Sequence, residues 1–182
     1  MKEIDDIFTV QLDLVRKKIT KENFEILYDF NINQFDELKE KTKTLKKVKG
    51  IYLFEIYNKD SIVFDEWIKD FTIKFRGFES KYLQKWTPNI VEKRIREHKE
   101  KNTEWIPLYI GKSKNIADRI DKHINSTIGR PPSALKLKER GNLVDQQFRI
   151  KYIDFTYIVN YEAIVSEIEK KLRNEINPIA GK

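Results

Sequence analysis

The chain has no cysteine. Disulfides, thiolate metal sites and cysteine nucleophiles are therefore excluded, and the absence suits a reducing interior. No uninterrupted apolar stretch approaches the roughly 18 residues that a membrane-spanning helix needs. The first residues, Met1-Lys2-Glu3-Ile4-Asp5-Asp6, are acidic and lack the apolar run of a secretory signal. Neither an internal repeat nor a low-complexity tract is present. These absences lead to the expectation of a soluble, cytoplasmic protein.

What is present is a foldable composition with a basic bias. The 182 residues suffice for one sizeable core, or a core with a small appendage. Hydrophobic residues make up 40%, with 11 Phe, 8 Tyr and 3 Trp, so a core can be buried even though 36% of the chain is charged. The balance of 36 Lys and Arg against 29 Asp and Glu leaves a net charge of +7. Such a surface suits a polyanion such as nucleic acid. Lys-rich proteins that bind nothing anionic share it, so charge alone does not assign a partner.

Apolar periodicity predicts the elements. Ile4, Ile7, Phe8, Leu12, Val15 and Ile19 recur at helical spacing, and Thr20 reads as the cap of a second helix through Phe24, Leu27 and Phe30. Lys39 to Lys49 is strongly basic: either a solvated linker or a track for a nucleic-acid backbone. Gly50 opens an apolar strand, Ile51 to Ile56. Asn58-Lys59-Asp60 marks a turn, and Ser61 to Phe64 reads as a short return strand. Phe64, Trp67, Ile68, Phe71 and Phe75 form a helical stripe. Thr87-Pro88 suggests the start of a basic helix running to Lys101, with Lys93, Arg94, Arg96 and Lys99 on it. Leu108 to Ile110 is a second strand, and residues 115–126 a helix on Ile116, Ile120 and Ile124, with Asn115 and Asp118 as a capping pair. Ser133 to Arg140 reads as a short helix ending at Gly141. Phe148 to Val159 alternates like a strand but changes parity between Tyr152 and Phe155, which suggests a bulge. Glu162 to Glu175 is the last helix. The expected fold is α/β of the α+β kind: a small three-stranded, mainly antiparallel sheet flanked by helices. An N-terminal helical extension (residues 1–48) and a helical insertion (about 64–106) complete it.

Several residues in this frame carry chemistry. Arg119 and His123 are i, i+4, so on a helix both lie on one face, about 6 Å apart at Cβ. Arg offers a charged donor fork to phosphate oxygens, and His relays a proton near neutral pH. The alternative is two surface polar residues that happen to fall together. Tyr52 and Tyr109 stand on predicted neighbouring strands. A phenol is a poor base at neutral pH unless a nearby cation such as Lys112 or Arg119 lowers its pKa, and strand tyrosines commonly just pack a core. Gly50 and Gly111 beside them allow close backbone approach. Glu169 lies at the edge of the stripe Ile164, Val165, Ile168, Leu172, Ile176. A lone half-buried carboxylate suits Mg²⁺, and the other reading is an i, i+4 ion pair with Arg173.

Gly50-Ile51-Tyr52, Tyr109-Ile110-Gly111-Lys112, the Arg119/His123 pair and Glu169 nine residues before Pro178 together resemble the GIY-YIG nuclease family. The resemblance covers residues 50–56, 108–125 and 162–178, and makes 49–182 the nuclease domain. It implies a DNA endonuclease, a hydrolase of phosphodiester bonds, most consistent with the restriction or defence type. A repair or structure-specific nuclease is the alternative, and an inert DNA-binding module on the same fold is the alternative of another class. It implies that the tyrosine matching Tyr52 helps activate water and that the one matching Tyr109 orients water or phosphate. It implies that Arg119 stabilises the pentavalent phosphate, that His123 and Lys112 assist proton handling, and that Glu169 holds one Mg²⁺ or Mn²⁺. Double-stranded DNA is the implied partner, with Lys93, Arg94, Arg96 and Lys99 as candidate contacts. Cutting both strands then takes a homodimer or two visits. Two features depart from the family pattern. Tyr109 follows Tyr52 by 57 residues, which requires the insertion. No asparagine follows Pro178, and Asn174 and Asn177 are the nearest substitutes.

Overall fold

The strand from Gly50 to Tyr57 (β2) is the axis of the molecule. Its residues 51–56 are all buried, a pattern that only a central strand covered on both faces accommodates. The structure, a computed structural model, describes residues 2–58, 63–77, 85–99 and 103–181. The fold is mixed α+β. Its sheet has four strands where three were expected. The order is β1 (Glu25–Phe30), β4 (Phe148–Asp154), β2, β3 (Trp105–Ser113), and every pairing is antiparallel.

The extra strand comes from the segment read as a helix through Phe24, Leu27 and Phe30. Residues 25–30 instead extend along β4, with Phe30 opposite Phe148. The i, i+3 spacing of three apolar residues fits a helix, but the open edge of β4 supplies a hydrogen-bond ladder, and tertiary pairing overrides local pattern. Residues 1–48 are thus not a wholly helical extension. After α1 (Lys2–Lys18) comes a strand of the central sheet, and then α2 (Phe35–Thr42).

One face of the sheet carries Tyr52, Phe54, Ile56, Ile106, Leu108, Phe148 and Ile150. It packs on α5 (Ile116–Asn125) and on the aromatic stripe of α3 (Phe64–Arg76). The other carries Ile51, Leu53, Ile110 and Ile153, covered by Val165, Ile168, Leu172 and Ile176 of α6 (Tyr161–Ile176). The register of β2 against β3 shifts between Phe54 and Glu55. That irregularity changes the parity of β3, so Leu108 and Tyr109 pack on the same core and Ile110 points to the other one.

Three further expectations are revised. The basic helix begins not at Pro88 but at Glu92 (α4, Glu92–Lys99), because Ile90 is held extended in a bridge to Ala180. Ser133 to Arg140 is not a helix. It is an irregular loop with a single 3-10 turn at Leu137–Glu139, followed by another at Gly141–Leu143. The alternating segment ends at Asp154 rather than Val159; Tyr157 and Val159 stand in solvent. Phe64 opens α3, and the rest of the predicted return strand lies largely outside the described residues, as do Lys59, Asp60 and Lys101. Among the described residues no helix is long and apolar enough to cross a membrane.

Candidate active site

Helix α5 forms because Asn115 accepts the Asp118 amide at its start and Ile116, Ile120 and Ile124 bury its inner face. Arg119 and His123 then project one turn apart toward β2 and β3. The His123 ring meets Tyr52, Phe54 and Tyr109 with centroids 5.3, 5.2 and 4.9 Å away. The Tyr52 and Tyr109 rings stack at 6.3 Å.

The centre of the site is the Tyr52 hydroxyl. Arg119 Nε donates to it at 3.1 Å, and His123 Nε2 lies 3.0 Å away. His123 Nδ1 accepts the Leu135 amide at 3.1 Å. The Nδ1 atom therefore carries no proton, and a neutral ring must carry it on Nε2, so His123 donates to Tyr52. The phenol oxygen accepts twice, and its own proton is directed elsewhere. Burial pushes the Tyr52 phenol well above its ordinary value, Tyr109 adds to that, and Arg119 opposes it. Tyr52 keeps its proton at neutral pH. Burial, with Arg119 next to it, also holds the His123 imidazole well below its ordinary 6.5. Both nitrogens of the buried His123 ring are thus engaged, one with Tyr52 and one with the Leu135 amide.

Gly111 is opposite Tyr52 in the ladder. A Cβ on it would lie 2.3 Å from the Tyr52 hydroxyl oxygen and 2.6 Å from the ring carbon that bears it. The glycine is the space the phenol occupies. Gly50 serves the backbone instead: a Cβ there would meet the Ile153 carbonyl at 2.0 Å.

Glu169 approaches from α6. It is 8% exposed, and burial raises its carboxyl against the opposing influence of Arg173 and Lys112. One carboxylate oxygen is ion-paired with Arg173, as the alternative reading had it. Among the described residues no protein donor reaches the other oxygen. Glu169 stands on α6, which covers the other face of the sheet from Tyr52, and of the groups that act on the Tyr52 phenol its charge contributes least. Lys112 points to the α6 face, with Nζ 2.9 Å from Glu162 and 2.6 Å from Ser166 Oγ. It belongs to the Glu169 side of the site, not to the tyrosine cluster. Among the described residues no group of three or more His, Asp or Glu gathers for a metal. The donor set that fits a divalent cation is the single Glu169 carboxylate with retained water, which is how Mg²⁺ is commonly held.

Sequence reasoning missed the loop that orients α5. Ser133 accepts from Arg119 Nη2 at 2.8 Å, and Leu135 fixes His123. Two buried cations shape this loop. Lys136, at a left-handed φ of 59°, caps the Thr127 carbonyl at 2.6 Å and also that of Arg130. Arg140 donates to Leu135 at 2.8 Å and to Phe75, and its guanidinium lies 4.1 Å over the Phe75 ring. Burial brings Arg140 down to about 10. The only sequence signal was two cations in a stretch with apolar neighbours. Tyr161 is a second omission: its hydroxyl lies 2.7 Å from the Ser113 carbonyl and 3.1 Å from that of Gly50, clamping both motif strands.

The candidate DNA contacts divide. Arg94 Nη1 donates to the Pro178 carbonyl at 3.1 Å, and Lys99 pairs with Asp65. Lys93 and Arg96 are exposed. Asn177 is committed to α4, through its side chain on Glu97 and its carbonyl 2.7 Å from His98, so it does not replace the family's asparagine at the site. Comparison of the chain with protein-family models, curated proteins and solved structures finds no match.

Proposed function

We propose that the chain is a divalent-metal-dependent endonuclease of the GIY-YIG kind, hydrolysing phosphodiester bonds in double-stranded DNA in the cytoplasm, of restriction or defence type. The observation that carries this reading is the convergence of Arg119 and His123 on the buried Tyr52 hydroxyl, with the Tyr109 ring stacked beside it. Tyr52 is brought to this cluster from 57 to 71 positions before the other three, which a chance scatter of surface polar groups does not do.

Arg119 spends one donor on Tyr52 and one on Ser133, which leaves guanidinium donors for a non-bridging phosphate oxygen. Tyr52 is held as a protonated phenol and orients the attacking water rather than removing its proton. Tyr109, partly buried at the rim, completes the wall against which the phosphate rests. Glu169 would hold Mg²⁺ or Mn²⁺, which when bound neutralises charge building on the phosphate. Preorganised charge of this kind is commonly the largest catalytic contribution, and loss of one such group costs ~10²-fold or more in rate. Lys93 and Arg96, both exposed on α4, would meet the DNA backbone.

A second reading is an inert DNA-binding module, favoured by one observation: Arg173 already occupies one oxygen of Glu169. Incubating supercoiled plasmid with the protein and Mg²⁺ or Mn²⁺, against EDTA, separates the two. Nicked or linear product is expected. Salt-sensitive binding with no strand break supports the inert module. Branched and flap substrates divide repair from restriction.

A further inference from the structure

We infer that α1 is a self-association surface at which a second copy of this chain docks antiparallel. The C-terminal half of α1 is anchored: Val15 and Ile19 pack on the α6 core, and Lys171 Nζ reaches the Arg16 and Ile19 carbonyls at 2.6 and 2.8 Å. This docking turns a different face outward. Ile7, Val10 and Leu14 stand at i, i+3, i+7 with exposures of 58%, 58% and 48%, the spacing of a helix–helix seam. Ile4 flanks it, whereas Phe8, seven residues before Val15, belongs to the anchored side, where it lines a surface depression with Val159. Monomeric surfaces rarely leave such a contiguous patch bare.

The charges name the occupant. Glu3 and Asp6 stand near the start of α1 and Lys17 and Lys18 at its end, while Arg16 is held within the chain by Asp13 and Glu167. This split also suits the helix's own dipole, but only an antiparallel copy uses it together with the apolar stripe. With the two-fold axis between Val10 and Gln11, Ile7 of each chain faces Leu14 of the other, and Glu3 faces Lys18. The contact is isologous and closes at two chains. Two copies bring two sites to one duplex, so both strands can be cut in one encounter; that consequence alone rests on the nuclease reading.

The test is the mass of the full chain by sedimentation equilibrium between low and tens of micromolar. A concentration-dependent dimer is expected. Ile7→Asp, on an exposed position outside the core, should abolish it. Glu3→Lys and Lys18→Glu should each weaken it about tenfold, since each reverses two symmetry-related ion pairs. Mixing the two variants should restore a heterodimer, because every Glu3–Lys18 contact then becomes opposite in sign again. A monomeric wild-type chain at tens of micromolar overturns the inference, as does a dimer indifferent to Ile7→Asp. Association is read by mass and not by cleavage, so this inference and the nuclease reading fail separately.

Discussion

Replacing Gly111 by alanine tests whether the glycine of the second motif exists to admit the Tyr52 phenol. The added methyl would stand 2.3 Å from the Tyr52 hydroxyl and 2.6 Å from the adjoining ring carbon. The ring is buried under α5 and cannot swing into solvent. Forcing a methyl into such packing costs about 1–3 kcal/mol. If the ring moves, its hydrogen bonds with Arg119 and His123 go too, at about 1 kcal/mol each. Alanine recovers roughly 0.4–1 kcal/mol by restricting the unfolded chain. The net expectation is a loss of about 3 kcal/mol, or a melting point lower by about 10 °C for a chain of this size. Urea denaturation and thermal scans measure it. Gly141→Ala is the control, since nothing lies within 4 Å of its added methyl; it should stay within about 0.5 kcal/mol of wild type. Tyr52→Phe removes the nearer clash but not the farther one. In the double mutant it should therefore recover part of the loss, with a coupling of about 1 kcal/mol. Gly111→Ala as stable as wild type refutes the reasoning.

Other expected outcomes follow from the same geometry. Burial holds the folded-state His123 imidazole far below 6.5, so as pH falls the unfolded chain takes up this proton first. The stability due to its neutrality is complete above that value and declines below it, by about 1.4 kcal/mol between pH 7.5 and 5.5; denaturation of wild type and His123→Asn at both pH values should show the variant's dependence flatter by that amount. Arg173→Ala frees the Glu169 carboxylate, so Mn²⁺ binding by calorimetry should tighten about fivefold, the equivalent of ~1 kcal/mol for a part-exposed pair; unchanged or weaker binding refutes the competition. Arg140→Met leaves the Leu135 and Phe75 carbonyls without their donor. It should cost about 3 kcal/mol and slow any cleavage through the displaced Ser133–Leu135 segment; a variant with wild-type stability contradicts the role given to that loop.

The parts that were legible in the sequence are those where local pattern and tertiary environment agree. The apolar run after Gly50 reads as a strand and is one, buried on both faces, and the Ile116/Ile120/Ile124 stripe sets which way Arg119 and His123 turn. The misreadings arose where a distant partner decided the backbone. Residues 25–30 become a strand because β4 offers an edge, and Ile90 stays extended because Ala180 pairs with it. The 133–140 segment has helical-looking composition, but Lys136 and Arg140 turn inward and satisfy loop carbonyls instead of a helix. Within the site, the residue types were readable and their states were not. The low basicity of His123 and the retained proton of Tyr52 come from burial and from the Leu135 amide, a contact across an irregular loop that no spacing rule encodes. Lys112 follows the second motif directly, yet strand alternation beside Gly111 sends it to the opposite face, toward Glu162.

The most direct measurement is strand scission of long duplex DNA by wild type, Glu169→Gln and Arg119→Ala in Mn²⁺, read as new ends on a sequencing gel. Cleavage by wild type, falling ~10²-fold or more in each variant, is the predicted result. Full-rate cutting by either variant, or intact DNA with the wild-type protein, contradicts it.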